Sequence, residues 1–277
     1  MVLNKWRTTH KILLRHICKT RRKQTTAGIL VIGDEILKGQ TEDTNSRYLS
    51  KEIYKAGVHV KKISVIGDVV EDVSREVKEF SNSFDYVITT GGIGPTHDDI
   101  TFEAVAKAFN EELILDPTLK ELCLKFYKTN DVNIPGMKMA YIPQSAKLNF
   151  KSNITPEPLI YPNISVRNVY IFPGIPELMM KSFSSVKATI FQSKEQFFTK
   201  CLYLKSKESD VVQILNKVVH EFPDVQFGSY PKLFNSRYQV KLTVESVSEK
   251  STKMAYETLV KLLPRESIVD NNDIDEM

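Results

Sequence analysis

Cysteine is scarce in this 277-residue sequence: Cys18, Cys123 and Cys201 lie far apart, in none of the short spacings that hold zinc or form a redox pair. They fit a reducing compartment, each as a neutral thiol. Long apolar runs are also missing; none approaches the roughly 20 residues needed to cross a bilayer, so no membrane span is expected. There is no Gly-x-Gly-x-x-Gly fingerprint and no Gly-Lys-Ser/Thr of a P-loop, which excludes the two commonest nucleotide loops. Acidic residues, finally, are absent from positions 1–26, where eight Lys or Arg stand.

That last absence changes the meaning of the net charge. The whole chain carries +4, but beyond residue 26 there are 30 basic against 34 acidic residues. A nucleic-acid-binding domain carries its basic excess in the folded part, so nucleic acid is not expected as a partner. On a helix, Leu3, Trp6, His10, Leu13, Leu14 and Ile17 share one face, and Arg7, Lys11, Arg15 and Lys19 line the opposite one. This is the pattern of a mitochondrial presequence and predicts import into the matrix. The alternative is a cytoplasmic protein with a basic tail that binds acidic surfaces.

From residue 27 onward, strand-like and helical segments alternate. "AGILVIG" (27–33), "HVKKISVIGD", "FDYVITTGG" and "VRNVYIFPG" read as strands. Between them "TNSRYLSKEIYKAG", with Thr44 as its cap, "VEDVSREVKEFSNS", "TFEAVAKAFN", "PTLKELCLKFYKT" and "IPELMMKSFSSV" have helical period. The alternation predicts a three-layer α/β domain over 27–195, a doubly wound, mostly parallel sheet, with 135–165 as a Pro-rich irregular stretch. From 196 to 268 the order changes to β-α-β-β-α, a small α+β subdomain, with "GSYP" (228–231) read as a turn. Residues 269–277 form an acidic tail expected to be disordered.

Ligands of doubly wound sheets sit at the carboxyl ends of the strands, and the glycines cluster there. The first strand is followed by Asp34, Glu35 and Asn45, the second by Asp68, and the fourth by Pro173 and Gly174. The third runs into "GGIGPTHDDIT", with Gly91, Gly92, Gly94, Thr96, Asp98, Asp99 and Thr101. Glycines let N–H groups approach a phosphate, and a helix opening near Asp99 would point its positive end at the same place. The same residues would also make a tight strand-to-helix turn. Asp99 could cap the helix or hold a cation; Asp98 is expected to point away. His97 reads as an exposed loop residue. Asp34, Asp68 and Asp99 follow three strands on one sheet edge, and three carboxylates there repel unless a divalent cation sits among them.

These segments resemble a known family. "GDEILKGQTEDTNSRYLSKEI", "TTGGIGPTHDDITFEAVAKAF", "VRNVYIFPGIPEL" and "GSYP" are similar to the molybdopterin-binding-type (MoaB/Mog) region of eukaryotic FAD synthase, a layout shared with the competence-damage protein CinA, over roughly residues 27–268. The resemblance implies a phosphate-holding turn at Gly91, Gly92 and Gly94, and a closing loop at Pro173 and Gly174. It implies Asp99 and Asp68 as the acids that work with metal and nucleotide. It further implies metal-dependent hydrolysis, with Co²⁺ or Mg²⁺, of FAD to FMN and AMP, or of the pyrophosphate of a related adenine dinucleotide; a homo-oligomer is compatible with it. The alternatives are a non-catalytic flavin- or nucleotide-binding module and a molybdopterin adenylyltransferase-like enzyme. No Ser-Gly-Gly-Lys-Asp-type ATP loop of the synthase domain occurs, so this chain alone is not expected to make FAD. The stretch 149–162 also departs from the Asn-Pro-Val-Gly-Thr-Ala-Pro-Gly of CinA.

Overall fold

The structure is a computed structural model and describes residues 24–269. Residues 1–23 of the basic segment and 270–277 of the acidic tail lie outside the described residues. The first unit runs β1 (Thr26–Ile32), α1 (Asp34–Leu37), α2 (Asn45–Lys55), β2 (His59–Ile66), α3 (Val70–Ser83), β3 (Tyr86–Thr90), α4 (Thr101–Phe109), β4 (Leu113–Leu115), α5 (Pro117–Tyr127), β5 (Tyr141–Pro143), β6 (Lys147–Asn149), β7 (Asn163–Val166), β8 (Val169–Phe172) and α6 (Pro176–Ile190). Its main sheet has the order β2-β1-β3-β8-β7-β6. The first four strands are parallel, and β7 and β6 are added antiparallel at one edge.

Side-chain alternation in the central strand builds two cores from one segment. Leu30 and Ile32 of β1 face Val73, Val77 and Phe80 of α3 and Val105 and Phe109 of α4. Ala27, Ile29 and Val31 face Leu49 and Ile53 of α2 and Met179, Phe183 and Val186 of α6. A strand buried on both faces can be apolar throughout, which explains the unbroken "AGILVI". The helices show the matching stripe: Val73, Val77 and Phe80 recur one turn apart and are all fully buried.

The structure departs from the sequence reading in two places here. The stretch 135–165 is less irregular than expected: it holds a 3₁₀ turn (Pro135–Ala140), β5, β6 and the start of β7. Three- and four-residue strands are too short to show a period. Thr44 stands at the N-cap of α2 as expected, but its side chain makes no capping bond; the Asp43 carboxylate accepts instead from the Ser46 backbone N–H at 2.9 Å and from the Ser46 hydroxyl.

The second unit contains β9 (Phe198–Leu204), α7 (Glu208–Glu221), β10 (Gln226–Pro231), β11 (Val240–Ser246), α8 (Glu249–Leu262) and β12 (Ile268–Val269). Its antiparallel sheet has the order β10-β11-β9-β12. Leu202, Leu204, Val240, Leu242 and Val244 pack with Val211 and Val218 of α7 and Leu259 of α8. "GSYP" is not a turn but the end of β10, paired with β11 through Pro231↔Val240; a Gly-Ser and a Pro suggest a turn, yet an edge strand tolerates both. The units meet at Tyr54, whose ring stacks on Phe197 at 4.5 Å and whose hydroxyl donates to the Glu245 carboxylate. Burial and that carboxylate push the Tyr54 hydroxyl pKa up.

Candidate functional site

The carboxyl ends of β2, β1, β3 and β8 lie side by side, so the four predicted loops converge on one edge of the sheet. Two groups form there: a carboxylate pair over β1 and β2, and a glycine turn over β3 and β8.

In the pair, the Asp34 backbone N–H donates to Asp68 Oδ2 at 2.9 Å, and the Asp68 N–H faces Asp34 Oδ1 at 3.4 Å. Lys38, which follows the last residue of α1, donates from Nζ to Asp34 Oδ2 at 2.8 Å and holds that carboxyl below its usual range. Asp68 has no such partner. Burial pushes its carboxyl up, and the charges of Asp34, Glu35 and Asp98 add to the shift.

The glycine turn is held from behind. Gly91 has φ +106°, and a Cβ on it would lie 2.0 Å from the Ile32 carbonyl oxygen, so no other residue fits without moving β1. Its N–H donates to the Phe172 carbonyl at 3.2 Å. Thr101 closes the loop: its N–H donates to the Gly92 carbonyl at 2.9 Å and its hydroxyl to the Gly91 carbonyl at 2.8 Å. Thr101 is fully buried, so it shapes the turn rather than meeting a ligand. The N–H groups of Gly92, Ile93 and Gly94 donate to no other group among the described residues. Successive free N–H groups in a glycine turn make an anion-binding concavity.

Asn45 joins this turn to the loop after β8. Its Nδ2 donates to the Gly174 carbonyl at 2.7 Å and to Thr90 Oγ1 at 3.0 Å, and Thr90 in turn donates to the Pro173 carbonyl at 2.8 Å. Asn45 is 7% exposed, and its Oδ1 is buried without a partner. A cleft of about 60 Å³ is lined here by Ile32, Glu35, Thr41, Asn45, Gly91 and Gly174. A larger hollow of about 450 Å³ lies in the second unit beside Tyr256 and Lys261, away from these groups.

The expected trio of Asp34, Asp68 and Asp99 does not form. Among the described residues no three His, Cys, Asp or Glu groups are placed to hold a metal ion. Asp99 turns inward instead, where its Oδ2 accepts from the Thr96 N–H at 2.8 Å and from the Thr96 hydroxyl. Nor does it cap α4, which opens at Thr101 with no side-chain cap. Two donors three residues back in the loop are nearer than the helix end. A hydrogen bond with Thr96 holds the neighbouring Asp98 carboxyl below its usual range, and its charge adds a minor upward push on both Asp34 and Asp68. His97 is 98% exposed and 3.8 Å from Asp98.

Lys38 and Lys138 were not singled out in the sequence. Lys38 was legible as the residue four after Asp34, an ion-pair spacing on a helix. Lys138 was not: it comes from the 3₁₀ turn and donates from Nζ to the carbonyls of Thr96 and His97, about forty residues earlier in the chain. It brings a cation to the loop that follows the glycine turn.

Residues 28–192 match the family model described as a probable molybdopterin binding domain, and residues 196–272 match that of the FAD synthase middle domain. A protein named "Probable FAD synthase" from Caenorhabditis elegans is 35% identical over 272 residues, covering 90% of this chain and 52% of that one. The chain thus spans about half the length of such curated relatives. A protein of Archaeoglobus fulgidus is 33% identical over 74% of this chain and 85% of its own. The crystal structure of the protein CinA, "with unknown function", from Thermoplasma acidophilum superposes with a TM-score of 0.54 at 27% identity, over 60% of this chain and 98% of that one. The fold thus defines a three-layer α/β domain followed by a small antiparallel α+β unit, with the candidate site at the carboxyl edge of the larger sheet. The chain belongs to the molybdopterin-binding-domain family, and carries behind that domain the middle domain of FAD synthases.

Proposed function

We propose that this chain hydrolyses the pyrophosphate of FAD to FMN and AMP with a divalent cation, Mg²⁺ or Co²⁺. The observation that carries the reading is the convergence of a free N–H nest with an under-compensated carboxylate pair on one sheet edge. The donor set suits a hard cation: Mg²⁺ is commonly held by one or two carboxylates, with water and substrate phosphate completing its shell. Asp68, raised by burial and like charges, is the group that a cation would most relieve. Asp34 and Asp68 would hold the ion, which supplies charge neutralisation at the phosphoryl oxygens and a more acidic water.

The chain's own groups do the rest. Gly92, Ile93 and Gly94 offer N–H donors to the pyrophosphate oxygens, where charge grows as water adds to phosphorus and the bridging P–O bond breaks. Lys138 adds a positive charge to the loop that follows the turn. Asn45, through Thr90 and Gly174, keeps the loop after β8 against the turn. Flavin as the second half of the substrate is supported by the FAD synthase middle-domain match and by relatives so named.

Incubation of FAD with the purified chain and Mg²⁺ or Co²⁺, followed by separation of the products, tests the reading. FMN and AMP in equal amounts are expected. Tight FAD binding without turnover would favour a binding module instead, a reading that the small cleft supports. The N-terminal basic segment is proposed as a mitochondrial presequence, tested by fusing residues 1–30 to a fluorescent reporter.

A further inference from the structure

The second unit has an end that the proposed hydrolase does not use. Leu233 and Phe234, in the loop between β10 and β11, are 82% and 105% exposed, and Phe234 sits at φ +61° in the left-handed region. An apolar pair fully in water, with an aromatic residue in a costly backbone conformation, is unusual on the surface of a folded unit. The loop is anchored rather than loose at its base, since Lys232 N–H donates to the Gln239 carbonyl at 2.7 Å and Gln239 N–H to the Leu204 carbonyl at 2.7 Å.

The strand register shows what surrounds that tip. Pro231 pairs with Val240, Val240 with Leu204, and Leu204 with Ile268, so the loops leaving these residues share one end of the sheet. The Lys205 N–H donates to the Ser267 carbonyl at 2.7 Å, which ties the third loop to the fourth segment. These loops carry the exposed Lys205, Lys207, Lys232 and Arg265. Against them stand Glu266, Glu208 and Asp210; the Glu208 carboxylate is engaged by the Ser229 hydroxyl, and the Asp210 carboxylate accepts from the Lys207 N–H at 3.3 Å.

An exposed apolar tip at a sheet end whose loops carry exposed basic side chains suits an anionic bilayer: the tip enters the acyl boundary while the basic groups meet the headgroups. We propose that this end of the second unit docks on anionic lipid surfaces, with Leu233 and Phe234 as the inserted residues. Docking there uses none of the residues at the carboxyl edge of the larger sheet, so the inference stands apart from the proposed hydrolysis.

The test uses the full chain with Arg7, Lys11, Arg15 and Lys19 replaced by Glu, which reverses the charge of the basic N-terminal face in every arm. It should co-sediment with phosphatidylcholine vesicles containing about a third phosphatidylglycerol, and not with phosphatidylcholine alone. Each basic residue near such a surface contributes about fivefold to binding, so Lys207→Gln with Lys232→Gln should weaken it about twenty-five-fold. Leu233→Ser with Phe234→Ser should weaken it at least about tenfold, and both changes lie on exposed positions that the core does not need. No retention on the anionic vesicles, or retention unchanged by Leu233→Ser with Phe234→Ser, overturns the proposal. So does loss of self-association in that variant without any vesicle binding, which would assign the tip to a protein contact.

Discussion

Asn45 gives the sharpest test of how the site is held, because two isosteric or smaller replacements should rank in an unusual order. Asn45→Ala removes two donated hydrogen bonds, to Gly174 O at 2.7 Å and Thr90 Oγ1 at 3.0 Å. At about 1 kcal/mol each, that is a loss of about 2 kcal/mol, with a further cost for the bared Gly174 carbonyl. The same change deletes the buried, unpartnered Oδ1, which refunds about 1–2 kcal/mol of desolvation. The net loss should be about 1–2 kcal/mol, or a Tm lower by about 3–6 °C for a chain of this size. Asn45→Asp keeps the shape but presents oxygens to the Gly174 carbonyl and to a Thr90 oxygen already donating to Pro173, and buries a charge at a 7%-exposed position. It should cost about 3–5 kcal/mol, more than removing the side chain. Calorimetric melting at neutral pH checks the order. An Asp variant as stable as the wild type, or more stable than the Ala variant, would refute the assignment of the amide nitrogen as the latch.

Three further outcomes are expected. Gly91→Ala, with φ +106° and a Cβ 2.0 Å from a backbone oxygen, should cost about 3 kcal/mol or more; Gly94→Ala, where the nearest atom is the movable Asp99 carboxylate, should cost much less on melting. Glu52, buried on α2, accepts from Lys55 Nζ at 2.6 Å and from Lys187, and although burial alone raises it, the two ammonium groups hold its carboxyl below the usual 4.5. Its contribution is therefore complete above pH about 4.5 and lost as pH falls through the lower folded value: Glu52→Gln should cost about 1–2 kcal/mol at pH 7, with the melting curves converging in acid. Asp98→Asn should weaken Mg²⁺ or Co²⁺ binding about three- to tenfold by calorimetric titration, since it removes a like charge that the carboxylate pair feels, whereas Asp99→Asn should leave it unchanged. The reverse ranking would restore Asp99 as a ligand.

The comparison between sequence and structure turns on distance along the chain. The parallel core was legible because "AGILVI" and the Val73–Val77–Phe80 spacing are local signals of burial. The four loops were placed on one edge by a general rule of such sheets, and they do lie there. What failed was the step from edge to contact. Asp99 follows the third strand as Asp34 and Asp68 follow the first two, and only the turn geometry decides that it accepts from Thr96 instead of joining them. Lys138 reaches the turn from a short 3₁₀ segment with no period to announce it. β7 and the end of β10 were obscured by Asn, Gly and Pro, which suggest turns in sequence but sit comfortably at sheet edges.

The central claim is that the Asp34–Asp68 pair holds the cation that makes the glycine turn hydrolytic. The most direct measurement is FMN release from FAD by the wild type and by Asp68→Asn, each with Mg²⁺ or Co²⁺ and with excess chelator, with melting curves confirming that both are folded. The account predicts turnover that the chelator abolishes and that Asp68→Asn lowers by at least about a hundredfold. FMN release that persists in chelator, or that Asp68→Asn leaves within a few-fold of wild type, would contradict it.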